Sequence, residues 1–250
     1  MVARRALVRE PGSTFSRCIS THPMRHTIDV GRARVQHAAY VAALEGLGLE
    51  VLKLPRDDSL PDSCFVEDTA VVHGAKALVA RPAKESRRGE TEAVRAVLSE
   101  HLRTKVAEAP ATVEGGDVLH TGDRLVCGLT GRTNGEGARQ LAEWLEVRVD
   151  TVEDPSIMHL KSYVSHIGEG GVLVARRFAG HPLATRVLGR TGARVTVLGL
   201  GTAPIGEARV EIKEAARIYA EVMDRGVTYI DTARGYGIAE EALAQVLPGR

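Results

Sequence analysis

Cysteine is scarce in this 250-residue sequence: Cys18, Cys64 and Cys127 are the whole set, with no CxxC and no even-numbered framework. That excludes a disulfide scaffold and points to a reducing, cytoplasmic setting. An excess of charge of one sign is lacking too. The 33 Lys and Arg are matched by 32 Asp and Glu, a formal net charge of +1, so no global field favours nucleic acid or a membrane surface. No apolar run approaches the ~18 residues of a membrane span, and the opening MVARRALVREPG has no apolar signal core. The expectation is a soluble, unexported protein. What is present is an ordinary 44% of apolar residues in a length that suits one large α/β domain, or a domain plus a fragment.

Against that background Leu60 to Val72, LPDSCFVEDTAVV, sets Asp62, Glu67 and Asp68 in an otherwise apolar, β-branched run. A buried carboxylate is costly unless it is paired or hydrogen-bonded. Three of them beside a strand call for a cationic ligand, a basic partner or a sharp turn into solvent. An edge strand preceded by a wet loop accounts for the same residues.

Upstream, RALVR (Arg5 to Arg9) reads as a short strand stopped by Pro11-Gly12. The polar loop Ser13 to Thr27 holds Cys18, His22 and His26, whose spacing suits zinc but lacks a fourth ligand, so no metal is expected. Asp29 caps a predicted helix to about Gly48, with Val35, Ala38, Val41, Leu44 and Leu47 at intervals of three. A strand from Leu49 to Leu54 follows.

From Val66 onward a unit of hairpin, helix and strand recurs. The hairpins are Val66–His73 with Lys76–Pro82, Asp117–His120 with Arg124–Leu129, and His159–Ile167 with Gly171–Arg176. Helices are predicted at about Ser86–Leu102 and at Asn134–Leu145, the latter capped by Asn134. Glu67 lies 47 residues before Glu114, Glu114 lies 45 before His159, and Arg87 lies 45 before Arg132. A fixed period of this size signals a propeller or solenoid, in which equivalent positions face one axis. Glu67, Glu114 and His159 should then meet at a centre, with Arg87 and Arg132 on loops around its rim. Carboxylates suit a guanidinium, whose planar fork bonds them bidentately, and rim arginines suit an α-carboxylate. A histidine beside a carboxylate suits proton transfer near neutral pH. The pattern predicts a pocket for an arginine-like amino acid. Surface ion pairs for the two glutamates and an ordinary strand histidine are the plainer alternatives.

LPDSCFVEDTAVV, Ser86 to Arg88 (SRR), Val113 to Leu119 (VEGGDVL), Gly131 to Asn134 (GRTN) and His159 to Ser165 (HLKSYVS) together resemble dimethylarginine dimethylaminohydrolase over about residues 3 to 178. The resemblance implies the pentein fold, a five-bladed α/β-propeller, and hydrolysis of asymmetric dimethylarginine to citrulline and dimethylamine without a cofactor. It implies that Asp62, Glu67 and Asp68 bind the substrate guanidinium and amine. Glu114 would contact the guanidinium and assist His159, the general acid/base, while Arg87 and Arg132 would hold the α-carboxylate. Ser13 to His22 would be a lid. The family's nucleophile is a cysteine in a Gly-Gly-Leu-x-Cys context, and no such stretch occurs here; the last cysteine is Cys127. Turnover is therefore expected to be impaired.

From about Thr185, TRVLGRTGARVTVLGLGTAPIG and then VTYIDTARGYG resemble the start of an aldo-keto reductase. That resemblance assigns Asp231 and Tyr236 to a catalytic tetrad whose Lys and His have no counterpart. About two of the eight β/α units of a barrel are represented, so no nicotinamide site is expected. The predicted architecture is α/β: an incomplete pentein-type propeller over 1–182, lacking its C-terminal blade, then a βαβα fragment over 183–250. The junction falls at Gly180-His181-Pro182. The expected partner is a small arginine derivative, with no cofactor, nucleic acid or membrane and the oligomeric state left open. An NADP-dependent reductase fragment and a non-catalytic chimeric product are the alternative readings.

Overall fold

The structure, a computed structural model, describes residues 4–166, 172–175, 185–187, 190–196, 200–206 and 210–247. The expected junction at Gly180-His181-Pro182 and the third hairpin turn at Glu169-Gly170-Gly171 lie outside them. The chain divides into two compact units, Met1–Ser162 and Tyr163–Arg250.

In the first unit β1 (Arg5–Arg9) pairs in parallel with β2 (Glu50–Leu54), joined by helix α1 (Val30–Gly46). Asp29 caps α1 by accepting from the Arg32 amide at 3.0 Å. The apolar stripe expected on this helix is not used as one. Only Val41 is buried, while Val35 is 71% and Leu47 77% exposed. The reason is angular: at about 100° per residue, steps of three drift backwards by about 60° each, so five such positions spread over most of the circumference.

The repeat then unfolds twice. A 3-10 turn (Val66–Thr69) leads into hairpin β3 (Ala70–His73) and β4 (Lys76–Val79), helix α2 (Thr91–Ser99), and β5 (Arg103–Val106) parallel to β4. A second 3-10 turn (Gly115–Asp117) leads into β6 (Val118–His120) and β7 (Arg124–Leu129), helix α3 (Gly135–Leu145), and β8 (Arg148–Glu153) parallel to β7. Gly74 and Gly122 take φ of +59° and +88° at the two hairpin turns, where a side chain would be strained. The predicted first helix is shorter than expected, because Glu85–Glu90 forms a 3-10 turn. Likewise Val66–Thr69 is a turn rather than strand, and that difference matters at the site.

Helix α3 supplies Ala138, Leu141 and Leu145 to one apolar cluster with Val71 and Leu78 of the first sheet and Val118, Leu125 and Cys127 of the second. Each leucine buried in this way contributes about 1.5–3 kcal/mol. Trp144 adds a bond from its indole N–H to the Ala77 carbonyl at 2.9 Å. The helix thus staples one sheet to the next.

A further 3-10 turn (Leu160–Ser162) closes the first unit, and in the second β9 (Val164–His166) runs antiparallel to β10 (Val172–Val174). Strand β11 (Thr185–Val187) pairs antiparallel with β12 (Arg194–Thr196). Then β13 (Leu200–Gly201) lies parallel to β14 (Ile230–Asp231), with helices α4 (Ala203–Gly206), α5 (Ile212–Asp224) and α6 (Ala239–Ala244). Ala215, Ala216 and Tyr219 of α5 pack on Ala242 and Leu243 of α6. This is a separate small core.

Candidate active site

Three of the 3-10 turns, Val66–Thr69, Gly115–Asp117 and Leu160–Ser162, each bring one side chain to a common point. Asp68 comes from within the first, Glu114 immediately precedes the second, and His159 immediately precedes the third. The His159 Nε2 lies 2.9 Å from Glu114 Oε2 and 3.8 Å from Asp68 Oδ1. Gly115 and Gly116 allow this meeting. A Cβ on Gly115 would sit 2.0 Å from the Glu67 carbonyl oxygen, and one on Gly116 would sit 2.6 Å from Asp68 Oδ1 and 2.8 Å from His159 Cγ.

Glu67 was expected at this centre and is not there. Its side chain is 67% exposed and takes the Lys161 ammonium at 2.6 Å. Successive residues of a 3-10 turn point about 120° apart, so only one of the Glu67-Asp68 pair can face inward. The 47-residue period read on Glu67 pointed one position short. Asp62 is buried, and its Oδ1 accepts from the Ile19 amide at 2.9 Å, which ties the predicted lid loop to the acidic stretch. His22, once weighed as a zinc ligand, accepts the Met24 amide through Nδ1 at 3.1 Å.

Arg87 and Arg132 correct the expectation of rim arginines, being 3% and 5% exposed. Arg87 Nη1 donates to Asp68 Oδ2 at 2.9 Å and to Glu114 Oε2 at 3.1 Å. On its other side Nε and Nη2 hold Glu90 at 2.8–3.2 Å. Arg132 Nη1 reaches both Glu114 oxygens at 3.2 and 3.3 Å. Buried carboxylates need such cations, since unpaired they would cost several kcal/mol each. Glu90 was missed by sequence reading, though its i,i+3 spacing from Arg87 was a signal.

The charge states follow from these contacts. Burial raises the Glu114 pKa, but the His159 hydrogen bond and the Arg132 and Arg87 charges outweigh it and leave Glu114 below the usual range. Burial would lower His159, and here Glu114, Asp68 and Asp117 together win and raise it. Glu90 moves up, because burial and the neighbouring Asp62 and Asp68 charges outdo its single partner, Arg87. Asp68, Glu114 and His159 offer ligand atoms within 4.8 Å of one another, a spacing that would suit a metal ion. Asp68 and Glu114 there are bonded by the Arg87 and Arg132 guanidiniums.

Asp68, His159, Glu67, Lys161 and Cys64 also line a cavity of about 620 Å³, whose remaining wall includes Leu7, Val8, Tyr40, Phe65, Val94 and Leu98. Burial pushes the Cys64 thiol up to about 12, likewise that of Cys127, and raises Cys18. None is held as a thiolate near neutral pH. In the second unit Asp231 ends β14 and is exposed, while Tyr236 is half-buried in the turn before α6.

The family profile described as N,N dimethylarginine dimethylhydrolase, eukaryotic, matches residues 17–177, and the chain belongs to that family. The N(G),N(G)-dimethylarginine dimethylaminohydrolase of Streptomyces coelicolor is 41% identical over 177 residues, 69% of each chain. That of Pseudomonas aeruginosa is 38% identical over 159 residues, 62% of this chain and 63% of its own length. The chain thus spans about two thirds of these relatives. A solved cysteine-to-serine variant of the Pseudomonas aeruginosa enzyme, complexed with citrulline, matches with a TM-score of 0.70, 32% identity and 73% of each chain. The N-terminal domain of ArgZ shares the α/β fold at a TM-score of 0.63 and 20% identity, over 69% of this chain and 66% of that one. Residues 197–249 match the aldo/keto reductase family. Over 66 residues the chain is 46% identical to the pyridoxal 4-dehydrogenase of Microbacterium luteolum, 25% of this chain and 19% of that protein.

Proposed function

We propose that the first unit binds the guanidinium group of an N-methylated arginine, and that the reaction its site is built for is hydrolysis of asymmetric dimethylarginine to citrulline and dimethylamine. The observation that carries this is Arg87, whose Nη1 bridges Asp68 and Glu114 beside His159. A guanidinium is what this carboxylate pair takes. Asp68 and Glu114 are the groups for the substrate guanidinium, Asp62 and Glu67 serve its polar surroundings, and His159 carries the proton. Among the described residues Arg132 engages Glu114 through Nη1 alone, which suits its remaining nitrogens to a substrate α-carboxylate, with Arg87 as its neighbour.

Residues 1–182 read as part of a pentein-type propeller lacking its C-terminal blade; the gap between the two family matches supports a division near 182, whereas the compact units divide after Ser162. Residues 183–250 read as the opening of a (β/α)8 barrel without a nicotinamide site. Turnover is impaired in this chain, because its three thiols are all held protonated and none lies in the expected Gly-Gly-Leu-x-Cys context.

Thermal melts followed by Trp144, the one tryptophan of the chain, test the binding. Asymmetric dimethylarginine should raise the melting temperature with concentration, lysine should not, and Asp68→Asn should abolish the rise. Citrulline formation should not exceed that of a His159→Ala control. A melting temperature indifferent to dimethylarginine in the wild-type chain would sink the assignment.

A further inference from the structure

We propose that Asp117 is a positioning residue that holds Glu114, Arg132 and His159 in register, a role resting on the site reading above. Asp117 is fully buried, the last residue of the Gly115–Asp117 turn, and touches neither the cavity nor the Glu114–His159 hydrogen bond. Its two oxygens reach the chain beside each of the three groups. Oδ1 accepts from the Leu160 amide at 2.9 Å, the residue immediately after His159. Oδ2 accepts from Thr133 Oγ1 at 2.7 Å, and that hydroxyl in turn accepts from the Glu114 amide at 3.1 Å. Oδ2 is also 2.9 Å from Thr130 Oγ1, whose one proton is shared between Oδ2 and the Met158 carbonyl at 3.2 Å, and which accepts from the Arg132 amide at 3.0 Å.

Two segments distant in sequence, Thr130–Thr133 and His159–Leu160, are thus tied to the turn that follows Glu114, and Arg132 and His159 on them both bond the Glu114 carboxylate. A buried carboxylate without a cationic partner is expensive to keep, and burial accordingly raises Asp117 despite the hydrogen bonds from Thr133, Leu160 and Thr130. Only an acceptor with two independent oxygens serves all three donors at once. Asparagine has the same volume, but its amide nitrogen can accept neither the hydroxyl protons nor the Leu160 N–H. Turned with its oxygen toward Leu160, it must donate to the two threonine hydroxyls instead of accepting from them, which reverses those bonds; turned the other way, it loses the Leu160 amide. Gly128 completes the arrangement, since a Cβ there would stand 3.2 Å from Asp117 Oδ1 and 2.9 Å from Leu160 Cβ.

The test is a proton NMR pH titration of the His159 ring in the full chain, its signal assigned by loss in His159→Gln. Asp117→Asn should lower the His159 midpoint by about half a unit or more, and should abolish the dimethylarginine-induced rise in melting temperature. Thr133→Val changes no charge, so a downward shift there reads position alone, and Thr133→Ser should restore the wild-type midpoint. A Thr133→Val chain that melts cooperatively but titrates like wild type would overturn the proposal. So would an Asp117→Asn chain that loses stability while His159 titrates unchanged, because that is what a purely structural carboxylate would do. Should Asp117→Asn fail to fold, the Thr133 pair still decides. A wild-type chain indifferent to dimethylarginine would count against the functional reading, while the His159 titration would still judge Asp117.

Discussion

His159 and Glu114 stabilise each other, and the direction of each pKa shift sets the pH window. His159 is raised in the folded chain, so its contribution is complete below the unfolded value of about 6.5 and is lost as pH climbs through the folded value. Glu114 is lowered, so its contribution is present above about 4.5 and is lost as pH falls through its folded value. The pair therefore supports the fold most between roughly pH 4.5 and 6.5. Urea denaturation followed by Trp144 should show stability of the first unit falling from pH 6.5 toward 8, with the decline absent in His159→Gln. A decline of equal size in that variant would mean that other groups are responsible. Arg87 shows what residue identity alone does not reveal: a cation expected at the rim is the partner of three buried carboxylates, Asp68, Glu90 and Glu114.

At the level of elements, the 3-10 turns and the loops between sheets do most to place the site, and α3 holds those loops still. Asn134 caps α3 by accepting from the Gly137 amide at 2.9 Å, and the same oxygen accepts from the Thr112 amide at 3.1 Å. Its amide donates to the Pro110 carbonyl at 3.0 Å. One side chain thus joins the helix start to the loop leading into Glu114. Asn134→Ala should cost about 1–2 kcal/mol, toward the upper end for a cap because two further bonds go with it. The urea midpoint of the Trp144 signal measures this, and a loss below about 0.5 kcal/mol would show that water replaces the cap. The cap and the helix were legible in the sequence, as were the hairpins with their glycine turns. The α1 stripe was not, because spacing by three imitates an amphipathic face without forming one.

For the molecule as a whole, the chain carries two unrelated resemblances, over residues 17–177 and 197–249, and the first runs past the end of the first compact unit at Ser162. Asp231 lies at the end of β14 and Tyr236 in the turn before α6, and the aldo/keto reductase match covers only residues 197–249, too short for the eight β/α units that build a barrel and its binding face. Micromolar NADPH should therefore leave both its own fluorescence and that of the protein unchanged. Saturable quenching would show that a nicotinamide site has formed after all. No helix among the described residues is long and apolar enough to cross a membrane.

The amino-acid order by itself determined the repeat, the motif blocks, the helix caps and the chemical kind of the site: carboxylates, arginines and one histidine at matching intervals. These are local or periodic properties, readable because hairpins, caps and glycine turns depend on a few adjacent residues. Only the tertiary structure decided which acid faces inward. That choice fell on Asp68 rather than Glu67 because a 3-10 turn, not a strand, carries them. It also decided that Arg87 and Arg132 are interior, since the cost of burying Glu114 and Glu90 without cations becomes visible only when the turns meet. Asp117 belongs to the same class: its three donors come from segments up to 43 residues away, and no spacing along the chain announces them.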